Sequence, residues 1–150
     1  GSKISPSRPI TNMRITELMS WQNSSLSAGS ISSAAGRYQI LKATLQTIID
    51  SNTISVEDSF SAENQDTCAI YLLKVRGLNR YISGGITAEE FGNNLAKEWA
   101  SFPVITGPNA GRSFYAGDSA GNNSRISVDE VMNVLLQLKK DSETIKNGPQ

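Results

Sequence analysis

Along most of this chain the hydrophobic residues recur three and four positions apart, the spacing of one face of an α-helix. Ile15, Leu18 and Met19 follow it, with Trp21 and Gln22 completing the turn, and they predict a short amphipathic helix. Leu41, Leu45, Ile48 and Ile49 predict a second helix that ends near Asp50, where Ser51, Asn52 and Thr53 break the pattern. Ala69, Leu72, Leu73 and Arg76 share a face of a third. Ser61 is placed to cap its start, Glu63 and Asp66 lie early, where the helix dipole favours acids, and Gly77 fits the position after its last turn. Thr87 and Glu90 have the spacing of a capping box ahead of a stripe of Phe91, Leu95 and Trp99, which ends before Pro103. Ser127 and Glu130 repeat that box ahead of Val128, Val131, Leu135 and Leu138. The expected fold class is therefore mainly α, with about five helices. The two strongest stripes are expected to pack together, Phe91, Leu95 and Trp99 against Leu72 and Leu73.

Between these helices the composition changes. Residues 22–35 are nearly all Ser, Gly, Ala and Asn, which is loop composition. Gly84-Gly85 reads as a turn. Residues 103–125 are rich in glycine and asparagine, with Arg112, Phe114 and Tyr115 embedded; aromatics there can stack on sugar rings or plug the loop onto the core. Asp118, Asn122 and Asn123 lack the ligand spacing and closing glutamate of a calcium loop and read as a turn. Residues 1–12 carry serines and prolines behind a Gly1-Ser2 resembling a cloning remnant, and from Lys139 the sequence turns polar again. The expected organisation is a tag remnant and linker over 1–12, one domain over 13–138, and a linker or tail towards a further domain over 139–150.

Composition narrows the chemistry. With 38% hydrophobic and 19% charged residues, 150 residues can bury a real core. Fourteen basic residues balance fourteen acidic ones, which argues against a phosphate-driven nucleic-acid binder. There is no histidine, so the commonest metal ligand and the usual base for activating a nucleophile are both missing. The single cysteine, Cys68, excludes an intramolecular disulfide and a multi-cysteine zinc site, and its place in an apolar run marks it as buried filler. No apolar run is long enough to span a membrane, and no signal-peptide pattern opens the chain. Neither a cofactor, a metal nor a membrane partner is expected.

The run from Ser32 to Ile40 carries the most distinctive chemistry. Small residues and Gly36 permit a tight turn and close approach of a ligand, and Arg37, Tyr38 and Gln39 then supply a charged fork, an aromatic face and an amide. That trio suits a hydroxyl-rich ligand such as a glycan. A tight turn with Arg37 in a structural ion pair is the competing reading.

The same residues carry a family resemblance. Gly36-Arg37-Tyr38-Gln39 resembles the G-R-Y-Q turn of lysozyme-like phage endolysins of the lambda type, lytic transglycosylases that cut the peptidoglycan glycan strand. Phe60-Ser61 with Gln65-Asp66 resembles that family's F-S-x-x-x-Q-D, Arg76-Gly77 its R-G, Trp99-Ala100-Ser101-Phe102-Pro103 its W-A-S-L-P, and Leu18-Met19-Ser20-Trp21 its M-L-A-W. Gly107 to Tyr115 is similar to a G-P-x-x-G-R-S-Y-Y stretch of phage and prophage relatives. Order and spacing agree from about Arg14 to Leu138. The resemblance implies an α+β lysozyme-like fold with a small irregular or β-hairpin region lining a cleft. It also implies a peptidoglycan substrate and a place in a larger phage or prophage protein, in the phage particle or at the host periplasm and cell wall.

One departure bears on activity. The lambda-type pattern reads W-S-E, and that glutamate is its catalytic acid; here the sequence reads Trp21-Gln22-Asn23. An amide cannot exchange the proton that glycosidic cleavage requires. An acid supplied from elsewhere and an inactive domain are both compatible with this. Glu17, the one acid on the first helix, lies a turn before Trp21 and is the runner-up acid; Glu63 and Asp66 suit the helix start or a pair with Arg37, and Glu98 suits the surface. The expected site is thus Asn23 at the acid position and Trp21, Arg37, Tyr38, Gln39 and Tyr115 on the ligand. The alternative function is a lysozyme-like domain that binds peptidoglycan without cutting it, or serves a structural role.

Overall fold

The computed structural model describes residues 8–27, 34–116 and 124–147, with side chains at 25–27 and 145–147 left aside. Among them are six α-helices: α1 (Ile15–Ser27), α2 (Lys42–Asp50), α3 (Ala62–Val75), α4 (Leu78–Ser83), α5 (Ala88–Glu98) and α6 (Val128–Asn147). A turn of 3-10 helix at Ile10–Asn12 precedes them. Extended pairing among the described residues is confined to three isolated antiparallel bridges, Arg14 with Ser59, Ala35 with Ile40 and Pro103 with Ser113. The chain divides into two units, residues 1–72 and 73–150, and the division falls inside α3.

In the first unit, α1 begins where the segment before α3 can satisfy it. Its opening amides have no carbonyl within the helix. The Ile15 N–H donates to Asp58 O at 2.9 Å and the Thr16 N–H to Val56 O at 3.0 Å, while the Phe60 N–H returns a bond to Met13 O at 2.8 Å. Ile15 and Leu18 face inward and are fully buried, as the periodicity predicts, and α1 packs on α2, whose Leu45 and Ile48 are buried. The loop expected from residue 22 starts later, because α1 continues to Ser27. Serine and asparagine are indifferent helix formers, and tertiary anchoring overrides them: Gln22 is buried and its Nε2 donates to Ile40 O at 3.2 Å. The remaining loop residues 28–33 lie outside the described residues. Ser61 caps α3 as expected, its Oγ accepting the Asn64 N–H at 3.1 Å.

The second unit is built from α4, α5 and α6, each in contact with the other two. Both capping boxes form: Thr87 and Glu90 exchange bonds of 3.2 and 3.1 Å, and the Glu130 N–H reaches Ser127 Oγ at 3.1 Å. Tyr81, Phe91, Leu95, Ile105, Val131 and Leu135 make its core, with Leu73 and Trp99 partly buried against them. Trp99 is therefore not the core centre that its stripe suggests. It caps the end of α5 in extended backbone and leans on Phe102, ring centroids 5.8 Å apart. Leu72 is buried but belongs to the first unit. Helix α4 has no counterpart in the sequence pattern; six residues are too few to show a period, and Tyr81 fixes it instead, stacking on Phe91 at 5.2 Å and donating its hydroxyl to Leu135 O at 2.6 Å. Gly92 sits mid-helix because Ile105 lies against it: a Cβ there would meet Ile105 Cγ1 at 2.6 Å. Helix α6 runs to Asn147, and the Lys139 ammonium donates to Tyr81 O at 2.7 Å.

Truncating Phe91 to Ala should cost about 3–5 kcal/mol, and Trp99→Ala distinctly less, in chemical denaturation; Gly92→Ala should destabilise by about 1–3 kcal/mol through the forced shift of Ile105. Burial pushes the Cys68 thiol up to about 11. A thiol reagent at pH 8 should accordingly label Cys68 only in denaturant, and rapid native labelling would contradict its burial.

Candidate functional site

The turn at 36–39 is a closed loop. The Ala35 N–H donates to Ile40 O at 3.0 Å and the Ile40 N–H to Ala35 O at 2.8 Å, so four residues bulge from a two-residue stem. The Gln39 N–H closes the bulge onto Gly36 O at 3.1 Å. Gly36 has φ +77°, and a Cβ would lie 2.6 Å from Gln65 Oε1 and 2.7 Å from Phe60 Cε2, so glycine is required twice over. Gln39 also adopts the left-handed region, at φ 51°, and its Nε2 donates to Gly36 O at 2.7 Å. That amide nitrogen, expected on the ligand, helps hold the turn.

Two adjacent residues of α3 carry this turn. Gln65 is buried; its Oε1 accepts the Arg37 N–H at 2.9 Å and its Nε2 donates to Phe60 O at 3.0 Å. Asp66 is half exposed, accepts the Tyr38 hydroxyl at 2.5 Å and lies 3.9 Å from Arg37 Nη1. The Arg37 guanidinium carbon stands 5.8 Å from the Tyr38 ring centroid. The hydrogen bond to Asp66, then burial and the carboxylate's charge, raise the Tyr38 phenol above its ordinary value, opposed by Arg37. Arg37 and Asp66 are both well exposed, so their ion pair contributes about 0–1 kcal/mol. The product is a rigid turn presenting a cation, a phenol and a carboxylate side by side. Arg37 and Tyr38 stand side by side, and Asp66 joins them through the Tyr38 hydroxyl as well as through its pair with Arg37.

Helix α1 meets this turn through Gln22, which the sequence pattern marks only as completing the helix turn: its side chain donates to Ile40 O, the carbonyl that also closes the stem. Trp21, half-buried, and Asn23, exposed, flank it. Glu17 is engaged at the helix start. Its Oε1 accepts the Arg14 N–H at 3.2 Å, the return half of a capping box, and its Oε2 pairs with Arg8 in an exposed setting. The carboxylate thus stands in an exposed, ion-paired setting and not in an apolar pocket.

Tyr115 lies in the second unit. Its hydroxyl donates to Lys97 O, and its ring meets Phe114 edge-on with centroids 5.1 Å apart. Glu98 is not the surface acid expected: its side chain is 13% exposed and accepts Arg76 Nε at 3.0 Å, while Asn94 Nδ2 holds Arg76 O at 2.9 Å. The Arg76 and Glu98 positions are thereby structural. Among the described residues, no group of three or more Cys, Asp or Glu could hold a metal ion, and no helix is long and apolar enough to cross a membrane.

A family model described as Endolysin matches residues 17–117. The chain belongs to the endolysin family. Comparisons with curated proteins and with solved structures gave no match. The endolysin match runs from α1 through the 36–39 turn and both of its α3 supports to the loop bearing Tyr115. Membership of this family implies a peptidoglycan substrate.

Because the folded-state pKa of Tyr38 is raised, the Tyr38–Asp66 link stabilises fully below the ordinary tyrosine pKa of about 10 and is lost as pH rises through the higher folded value. Ultraviolet titration should place this phenol above the ordinary tyrosine value, identified by its loss in Tyr38→Phe, and Asp66→Asn should lower it; a Tyr38 titrating normally in the parent would contradict the hydrogen bond. Gly36→Ala should cost at least about 1–2 kcal/mol, since the left-handed backbone alone demands that much and two side chains must also move.

Proposed function

We propose that this endolysin-family chain engages the peptidoglycan glycan strand for cleavage of the lysozyme or lytic transglycosylase type, with the 36–39 turn as part of the strand-binding wall. The observation that carries the reading is the turn itself: family membership supplies the ligand, and Arg37, Tyr38 and Asp66 offer it a fixed set of complementary groups. Arg37 can pair with a carboxylate of the polymer, and the second Asp66 oxygen can accept a sugar hydroxyl. Tyr38 adds a ring face, and Trp21 on α1 a second aromatic surface.

The acid follows from α1. By the lambda-type resemblance Asn23 corresponds to that pattern's catalytic glutamate, and an amide carries no transferable proton. Glu17, the runner-up, is drawn to Arg8 and to the Arg14 amide. The resemblance at Asn23 and the engagement of Glu17 together support a second reading, in which the domain holds the strand and cuts it slowly or not at all.

Turbidity loss of purified cell walls and co-sedimentation with them separate the readings. Arg37→Ala and Tyr38→Phe should weaken sedimentation. The chain as it stands should clear walls slowly, Asn23→Glu or Asn23→Asp should raise the rate by ~10²–10⁴-fold, and Glu17→Gln should leave it unchanged. A parent that clears walls rapidly, with loss of activity in Glu17→Gln, would transfer the acid's role to Glu17; rapid clearing that survives Glu17→Gln would remove it from both.

A further inference from the structure

We infer that the loop over residues 103–116 carries a second sugar-binding element, with Phe114 as a stacking platform for one pyranose ring of the glycan strand. The inference takes the identity of its ligand from the function proposed above and uses a residue that the proposal does not.

The loop is held at many points. The Val104 N–H donates to Arg112 O at 2.7 Å and the Gly111 N–H to Val104 O at 2.8 Å, closing a hairpin-like excursion whose tip is tightened by Ala110 N–H to Gly107 O at 3.1 Å. Asn93 of α5 grips one side, its Oδ1 accepting the Ile105 N–H at 2.8 Å and its Nδ2 donating to Thr106 Oγ1 at 2.9 Å. Ser113 is buried, and its Oγ accepts the Tyr115 N–H at 3.2 Å. The Tyr115 hydroxyl is fixed on Lys97 O at the end of α5.

A loop tied down this thoroughly has the means to bury its aromatics, and it does not. Phe114 is 52% exposed and Tyr115 36%, the two exposed aromatic side chains among the described residues. Tyr115 has a polar partner. Phe114 has no hydroxyl to satisfy, and it rests against Tyr115 at an interplanar angle of 77°, which fixes its orientation. An exposed, pre-oriented phenyl ring matches the C–H face of a pyranose. Two rings are far too small a surface for a stable protein interface, which needs about 800 Å² from each partner.

The experiment compares the full chain with Phe114→Ala, Phe114→Trp and Arg37→Ala. Affinity is measured for soluble glycan fragments released from purified cell walls, and thermal melting accompanies each variant. Phe114→Ala should bind about two- to tenfold more weakly at an unchanged melting temperature. Phe114→Trp should retain affinity, and its added indole emission should shift on saturation with glycan. Phe114→Ala binding like the parent, or a Phe114→Trp emission indifferent to glycan, overturns the inference. If Arg37→Ala alone weakens binding, the proposed function stands and the stacking site falls; if the parent itself fails to bind, both fall.

Discussion

The first unit depends on one buried amide. Gln65 sits in α3, yet its carbonyl oxygen orders the Arg37 backbone and its amino group orders Phe60. Backbone groups of a tight turn and of a segment entering a helix would otherwise need water or other partners. Because both ends of the side chain are used, a residue differing by a single atom type would leave a buried polar group wanting, at about 1–3 kcal/mol. Gly36 has no side chain for the same reason: the space beside it is filled by that amide and by Phe60. Gly36, Phe60 and Gln65, which stand far apart in the chain, are therefore one packing decision.

From this clamp the chemistry follows outward. With Arg37 N–H fixed, the side chains at 37 and 38 leave the stem in set directions, and Asp66, next along α3, receives the Tyr38 hydroxyl. Gln22 attaches α1 to the same stem through Ile40 O. The part of the turn that faces solvent is polar and charged, and the part that faces inward is an amide network without a formal charge. The separation gives an exposed polar surface a rigid, uncharged base.

Much of this was legible in sequence. The helical stripes located α1, α2, α3, α5 and α6, and both capping boxes formed at Thr87 and Ser127, since those signals are local and repeat over several turns. The illegible parts were decided by distant partners. α4 is shorter than two helical periods and is fixed by Tyr81; the extension of α1 through Ser27 hangs on where Gln22 reaches; Glu98 looked like a surface acid until Arg76 met it. In the candidate site, the turn was visible through Gly36 and its polar trio, whereas the assignment of Gln39 to the turn's own closure depends on a left-handed backbone that no pattern announces. Gln65 stood in a motif without a role, because a buried glutamine's partners are set by the fold.

Tyr81 ties α4 to α6 from both ends of the residue: its hydroxyl reaches Leu135 O, and its own carbonyl receives the Lys139 ammonium, which also stands 5.0 Å from the ring. A helix of six residues has no independent stability in water. α4 therefore cannot fray alone or persist alone; it must open together with the middle of α6 as one cooperative element, so its amides should inherit the exchange protection of a helix nearly fifty residues downstream. The sequence just past Leu138, polar as it is, is in that sense the fastening of α4.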